Sequence, residues 1–342
     1  MFPEEEHVCM EILLGVGTVL LGGVLNGSFV APLKKLPRWA WENSWLVYSV
    51  VGLLVIPWVA AWLTVPRLGE VLTGASPEVV RRVLGFGFGW GIGSVLFGLG
   101  IDRLGLAIGY GLILGLIAPI GTFYPLLILH PDELWTHRGL ALIIGTAIVL
   151  SGIVLCAKAA RLREGPAVPR GGFLTGLVIC IFAGIFSPML NFSFAFGGEL
   201  QERALAAGAS LNAASNAIWP LCLTAGLLPN AGYAVYRLYR NRTWARFRGS
   251  RHHDWSWASS MGLLCFGSFV VYGAGANSLG ELGPVVGWPL FMSMALITSN
   301  TLGWLSGEWR GAPPQAVRYS RLGILVLIVA IAVIAMGNRA AS

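Results

Sequence analysis

Charge is scarce in this chain. Only 11% of its residues are Asp, Glu, Lys or Arg, where a soluble globular domain carries about a quarter. That scarcity excludes an ordinary water-soluble fold. Reactive motifs are missing as well: there is no Walker sequence, no GxSxG, no HExxH and no run of acids at metal-ligand spacing. An enzyme, an ATP-driven pump, a resident cofactor and a bound metal are therefore not expected. The five cysteines (Cys9, Cys156, Cys180, Cys222 and Cys265) stand singly in or beside apolar runs, without a CxxC. They read as small reduced hydrophobes. His252-His253-Asp254 has metal-binding residue types but lies in a strongly basic stretch without cysteine, and reads as a solvated loop. Glu4, Glu5 and Glu6 deny the N-terminus the positive region of a signal peptide.

Apolar residues take the place of charge. They make up 56% of the chain, and mean hydropathy is +0.72. A bilayer is crossed by about 20 apolar residues in a helix whose backbone satisfies itself. Ten segments qualify: 11–33, 43–64, 83–101, 104–129, 139–160, 173–197, 212–237, 257–277, 284–306 and 320–338. The expected fold is an all-α membrane protein of ten transmembrane helices. The 46 glycines suit close helix packing in lipid, with Gly85, Gly89 and Gly93, Gly105 and Gly109, and Gly111 and Gly115 at the right spacing. The glycine-rich run 85–93 resembles a nucleotide loop only superficially, since no strand precedes it. A turn around Asp102-Arg103 is expected to join the third and fourth spans. The connections near 65–82 and 238–256 read as loops.

The punctuation repeats. Trp45 is followed by Gly52-Leu53-Leu54 and Pro57, and Trp219 by Gly226-Leu227-Leu228 and Pro229, at an offset of 174. At an offset of 175, Gly98, Gly100, Leu104 and Gly105 fall on Gly273, Gly275, Leu279 and Gly280. Asn26, Ser28 and Phe29 are echoed by Asn191, Ser193 and Phe194. The expectation is two five-helix repeats, 1–165 and 170–342. An odd number of spans per repeat makes the second enter from the opposite side, an inverted repeat typical of carriers.

Lys and Arg cluster in alternate connections. With the N-terminus outside, 17 of the 23 fall on the cytoplasmic side: Lys34, Lys35, Arg38, Arg103, Lys158, Arg161, Arg163, Arg170, Arg237, Arg240, Arg242, Arg246, Arg248, Arg251, Arg310, Arg318 and Arg321. The positive-inside rule then puts both termini outside the cytoplasm. It also accounts for the net charge of +7 without a nucleic-acid partner.

Neutral polar and aromatic groups stand inside the spans. Asn26, Ser28, Trp45, Trp90, Asn191, Trp219, Trp288 and Asn300 are the candidate substrate-binding residues, with Tyr48, Tyr110, Ser193 and Asn216 nearby in sequence. Amides exchange hydrogen bonds with hydroxyls and indole faces stack on the C–H face of a pyranose, a mixture suited to a small sugar. Each also has a plainer role, as an interfacial tryptophan or a polar tie between helices. Asn26 and Asn191 are expected to face one central cavity. Pro57, Pro119, Pro125 and Pro229 are expected to break the second, fourth and seventh helices, and Pro188 and Pro289 to interrupt the sixth and ninth. Carboxylates are few: Glu42 opens the second helix, Glu308 closes the ninth, and Asp102 and Glu281 fall in turns. Glu42 and Glu308 are the candidate proton-coupling groups. Their plainer roles are an acid at a helix N-terminus and a partner for loop arginines such as Arg310.

Four stretches resemble the L-rhamnose/proton symporter family: Pro32-Leu33-Lys34-Lys35-Leu36-Pro37-Arg38-Trp39-Ala40-Trp41-Glu42, Gly89-Trp90-Gly91-Ile92-Gly93, Trp288-Pro289-Leu290-Phe291-Met292-Ser293 and Gly307-Glu308-Trp309. They occur in the same order over nearly the whole chain. The resemblance implies a ten-helix, inverted-repeat carrier of the drug/metabolite transporter superfamily in a bacterial inner membrane. The implied activity is proton symport of L-rhamnose or a related deoxy-sugar by alternating access. The chain departs from the enteric pattern at Pro284 and Phe291, where an acid and a histidine are expected. An exporter or carrier of another metabolite, a membrane scaffold and a lipid-modifying enzyme stay open as alternatives.

Overall fold

A computed structural model describes residues 3–164 and 172–339; Arg170 and the side chain of Cys9 lie outside the described set. The principal helices are α1 (Pro3–Ser28), α2 (Trp41–Thr64), α3 (Pro77–Gly105), α4 (Gly111–Leu129), α5 (His137–Glu164), α6 (Phe173–Phe186 continued by Met189–Ala195), α7 (Trp219–Asn241), α8 (His252–Ser278), α9 (Gly283–Leu305) and α10 (Pro314–Arg339). Among the described residues nine helices are long and apolar enough to cross a bilayer. A tenth span forms if Leu211–Ala217 is joined to Trp219–Asn241 across a bend of 41°. No described residue lies in a strand, as a chain that must close its backbone bonds within lipid requires.

Local chemistry sets the ends. The Ala40 N–H donates to Asn43 Oδ1 at 3.2 Å where α2 starts, and the Arg251 N–H to Asp254 Oδ2 at 2.9 Å where α8 starts. His252, His253 and Asp254 thus form the first turn of α8 rather than a loop. Asp102 and Arg103 are not a turn either. They belong to the last turn of α3, which ends at Gly105 with φ 82°. The connections between α2 and α3 and between α7 and α8 carry short helices, Leu68–Gly74 and Ala245–Arg248.

Most of the six prolines expected to break or interrupt helices do not do so. Pro119, Pro125, Pro229 and Pro289 lie within continuous α4, α7 and α9. Pro57 follows a π-turn at Val51–Val55. Of these six, Pro188 alone stands at a break, between the two pieces of α6.

The two halves interleave. Helix α1 packs on α8 and α9 while α6 packs on α3 and α4; α2 packs on α8 while α7 packs on α3; α2 meets α7, α4 meets α9, and α5 meets α10. Adding five to every helix number in this set returns the same set. Backbone details follow the same offset of 175. The non-glycine residues at positive φ among those described are Arg67 (φ 52°) and Arg242 (φ 55°), and Gly105 pairs with Gly280 (φ 77°).

Glycine crossings recur too. A Cβ on Gly52 would stand 2.6 Å from the Gly262 Cα, joining α2 to α8, and one on Gly226 would stand 3.0 Å from the Gly87 carbonyl oxygen, joining α7 to α3. Gly93 similarly abuts the Ser187 backbone at 2.5 Å, but Gly85 and Gly115 meet nothing within 4 Å. The spacing therefore marked both contact and non-contact glycines. Overpacking a tight crossing costs about 1–3 kcal/mol. Gly52→Ala and Gly226→Ala should each lower the thermal midpoint of the purified protein, whereas Gly85→Ala should leave it unchanged or raise it. Equal midpoints for all three variants would show that the crossings carry no stability.

Candidate functional site: a polar seam beneath a closed aromatic layer

The line along which α2 meets α7 is bonded from end to end. Glu42, at the start of α2, is buried and accepts from Asn241 Nδ2 and Thr243 Oγ1, both at 2.8 Å on Oε1. Asn43 Nδ2 donates to the Thr243 carbonyl at 3.1 Å. Trp45 Nε1 donates to Asn230 Oδ1 at 3.1 Å, and Trp58 Nε1 to Thr224 Oγ1 at 2.9 Å. At the far end Asn216 Nδ2 donates to Thr64 Oγ1 at 2.9 Å. Such bonds tie helices where lipid offers no competing partner.

Asn230 is the centre of the seam. Its Oδ1 also accepts from Ser94 Oγ on α3 at 3.0 Å, and its Nδ2 donates to the Gly226 carbonyl at 2.9 Å. Several of the candidate sugar-binding residues are half-buried, and two of them, Trp45 and Trp90, adjoin this part of α7. Trp45 packs on Tyr48 with ring centres 4.8 Å apart, and Trp90 packs edge-on to Phe269 at 6.0 Å. Asn26 donates to Ser268 Oγ at 3.2 Å. Asn300 donates to the carbonyl one turn back, Leu296 at 2.9 Å, and is half-buried. Ser28 likewise donates to Val24 O at 2.7 Å and is satisfied within its own helix.

The other candidates form a second, fully buried layer. Asn191 Nδ2 donates to Gly121 O and Pro284 O, both at 3.0 Å, and its Oδ1 accepts from the Tyr272 hydroxyl at 2.5 Å. The first of these bonds has a sequence cause. Pro125 has no N–H to give the carbonyl four residues back, and Asn191 supplies the missing donor. Trp288 Nε1 donates to Ile117 O at 3.2 Å. Trp219 stacks on Phe194 at 5.6 Å and 8°, and Phe291 packs on Tyr272 at 4.9 Å. Of the two departures from the enteric pattern, Phe291 belongs to this layer and half-buried Pro284 borders it through its carbonyl.

Asn26 and Asn191 both reach α8. They bond to successive turns of α8, at Ser268 and Tyr272, one in each layer. The cavity of about 960 Å³ beside α2 has none of the eight candidates in its lining. Sequence reasoning also missed Asn230, Ser94 and Tyr272. An amide beside Pro229 inside an apolar run was the available signal for Asn230.

Glu308 lies elsewhere, in the turn after α9. It forms an ion pair with Lys34, beyond α1, and a second with Arg163, at the end of α5, at 3.5 Å. Arg163 also covers the Trp309 ring at 5.0 Å, and Trp309 stacks on Trp304. The Lys34 hydrogen bond and charge, with Arg163, hold the Glu308 carboxyl below its usual pKa. Arg310 is not the described partner; Lys34 and Arg163 are.

Comparison with known proteins gives one consistent result. A family model described as L-rhamnose-proton symport protein matches residues 8–340. The chain is 27% identical over 342 residues to the L-rhamnose-proton symporter of Enterobacter sp. (strain 638), covering 95% of this chain and 98% of that one. It is 27% identical to the same-named protein of Escherichia coli O157:H7 and 26% to that of Citrobacter koseri, at the same coverage.

A depressed carboxyl pKa means stability that is complete above the unfolded value and lost as pH falls through the folded one. The pair is partly exposed, so screening limits its worth to about 1 kcal/mol or less. Glu308→Gln should lower the melting temperature slightly at pH 7, and the wild-type and variant curves should converge as the carboxylate protonates at acid pH. A gap independent of pH would mean that the ion pairs contribute nothing.

Proposed function

The chain belongs to the L-rhamnose-proton symport protein family, and we propose that it carries L-rhamnose or a related deoxy-sugar together with protons across a bacterial inner membrane. It is a secondary carrier rather than an enzyme. The family match over nearly the whole chain supports the substrate class, and one structural observation supports the mechanism: the indole, amide and hydroxyl of Trp45, Asn230 and Ser94 join three helices through a single acceptor. A sugar hydroxyl donating to Asn230 replaces one of those donors and so loosens the seam as it binds.

In this reading Asn26, Trp45, Trp90 and Asn300 contact the sugar together with Asn230 and Ser94. Asn191, Trp219 and Trp288 close the opposite side and reach substrate only when that side opens. Ser28 positions the end of α1. Residues 1–165 and 170–342 are inverted repeats, a reading supported by the shared offset of Arg67 with Arg242 and Gly105 with Gly280. Because the halves interleave, the rocking units are α1, α2, α8 and α9 against α3, α4, α6 and α7, not one half against the other. Both termini are extracytoplasmic, which puts the closed layer outside and the half-buried groups toward the cytoplasm.

Glu42 carries the coupling proton. Its two described bonds are charge-assisted, and such bonds are about twice as strong as neutral ones. Protonation therefore weakens one end of the seam while sugar competes at its centre. Glu308 pairs with two cations that keep it ionised, and serves as a tie among the ends of α1, α5 and α9.

Proteoliposomes with a proton gradient should accumulate L-rhamnose, and a protonophore should abolish accumulation. Glu42→Gln should eliminate uphill uptake and spare exchange between equal pools. Wild-type accumulation by Glu42→Gln would remove Glu42 from the coupling step, and no rhamnose-dependent flux in wild type would remove the substrate assignment.

A further inference from the structure

Between residues 237 and 256 the chain carries six arginines against one acid, Asp254, whose carboxylate is engaged by the Arg251 N–H. This segment borders the cavity of about 960 Å³, a volume at the upper end of the roughly 300–1,000 Å³ typical of small-molecule sites. One wall is a stripe of α2: Leu46, Val47, Val50 and Val51. The rim is aromatic. Trp244 precedes the short helix, Phe247 comes from it and Trp255 from α8, and Trp39 packs edge-on against Phe247 at 5.3 Å and Trp255 at 5.2 Å. Tryptophans gathered in this way mark headgroup depth in a bilayer.

Two cations stand at this rim, Arg242 and Arg248. Arg242 holds a left-handed backbone (φ 55°), a conformation costly for a side chain other than glycine. Its counterpart 175 residues earlier, Arg67, has the same backbone but pairs with Glu70 at 3.7 Å. The position equivalent to Glu70 in the second half is Ala245. Among the described residues no acid pairs with Arg242 or Arg248. The first half thus neutralises its arginine internally, and the second leaves the charge facing an apolar trough.

We propose that this trough binds an anionic phospholipid, its phosphate held by Arg242 and Arg248 and an acyl chain lying along the α2 stripe. Charge complementarity selects an anionic headgroup over a zwitterionic one, since basic residues near a membrane surface attract anionic lipid. The apolar wall selects a lipid over a free anion. The site adjoins the N-terminal end of the seam, where Leu46 and Val47 follow Trp45.

The test is a titration of the detergent-purified full chain with dioleoyl phosphatidylglycerol or dioleoyl phosphatidylethanolamine, read by thermal shift. Phosphatidylglycerol should give the larger shift. In an Arg242→Gly, Arg248→Gln double variant, its half-saturating concentration should rise about tenfold or more; glycine suits the left-handed backbone, so the fold is spared. Arg240→Gln, whose guanidinium instead bonds the Tyr236 hydroxyl, should keep the wild-type response. Val50→Trp, which fills the trough without changing charge, should lose it. The proposal is overturned if the double variant or Val50→Trp responds like wild type, if Arg240→Gln loses the response equally, or if inorganic phosphate alone reproduces the shift.

Discussion

The contact between α2 and α7 joins two sets of helices that are otherwise packed by close backbone crossings. On one side Gly52 locks α2 to α8 through Gly262; on the other Gly226 locks α7 to α3 through Gly87. Those crossings leave no room for side chains and so form rigid units. The seam between the units is built differently, from six side-chain hydrogen bonds. At about 0.6 kcal/mol for an average interhelical bond in a membrane, together they contribute roughly 3–4 kcal/mol. That is comparable to the few kcal/mol separating conformations that a ligand selects. A carrier needs units that hold their shape and a joint that substrate can afford to loosen, and the chemistry is distributed in that way.

The two layers of polar groups then take different parts. Asn191 has both N–H groups and its carbonyl engaged, one bond replacing the donor that Pro125 lacks. Such an amide closes α8 and α9 onto α4 and α6 in this state of the protein. Asn230 accepts two bonds on its carbonyl, from an indole and a hydroxyl, donors whose place a sugar hydroxyl can take. The difference lies in what each amide bonds: backbone carbonyls and a buried phenol in one case, exchangeable side chains in the other.

Much of the architecture was legible in the chain. Hydropathy located nine spans outright, and a tenth when the bent pair before α7 is joined, because a long apolar run in lipid closes its backbone bonds as a helix. The 174 and 175 offsets located Gly52 with Gly226 and Gly105 with Gly280, since crossings and left-handed turns admit little besides glycine. What the sequence did not reveal was depth and partner choice. A tryptophan reads alike at the interface and in a packed layer, so Trp45 and Trp219 were grouped although the structure separates them. Proline positions were legible but their effect was not, because a π-turn or a donated amide repairs the backbone locally. Glu308 sat in a motif, yet its cations come from the turn after α1 and the end of α5, far away in sequence.

The central claim is that substrate and proton act together on the α2–α7 seam. Spin labels replacing Trp41 and Arg240, at the neighbouring ends of these helices, report its width by pulsed electron–electron distance measurement. The predicted result is a short distance in the apo protein at alkaline pH and a longer one when L-rhamnose is added at acid pH, with Glu42→Gln removing the need for acid. A distance distribution that stays the same with and without sugar, at both pH values and in Glu42→Gln, would contradict the account.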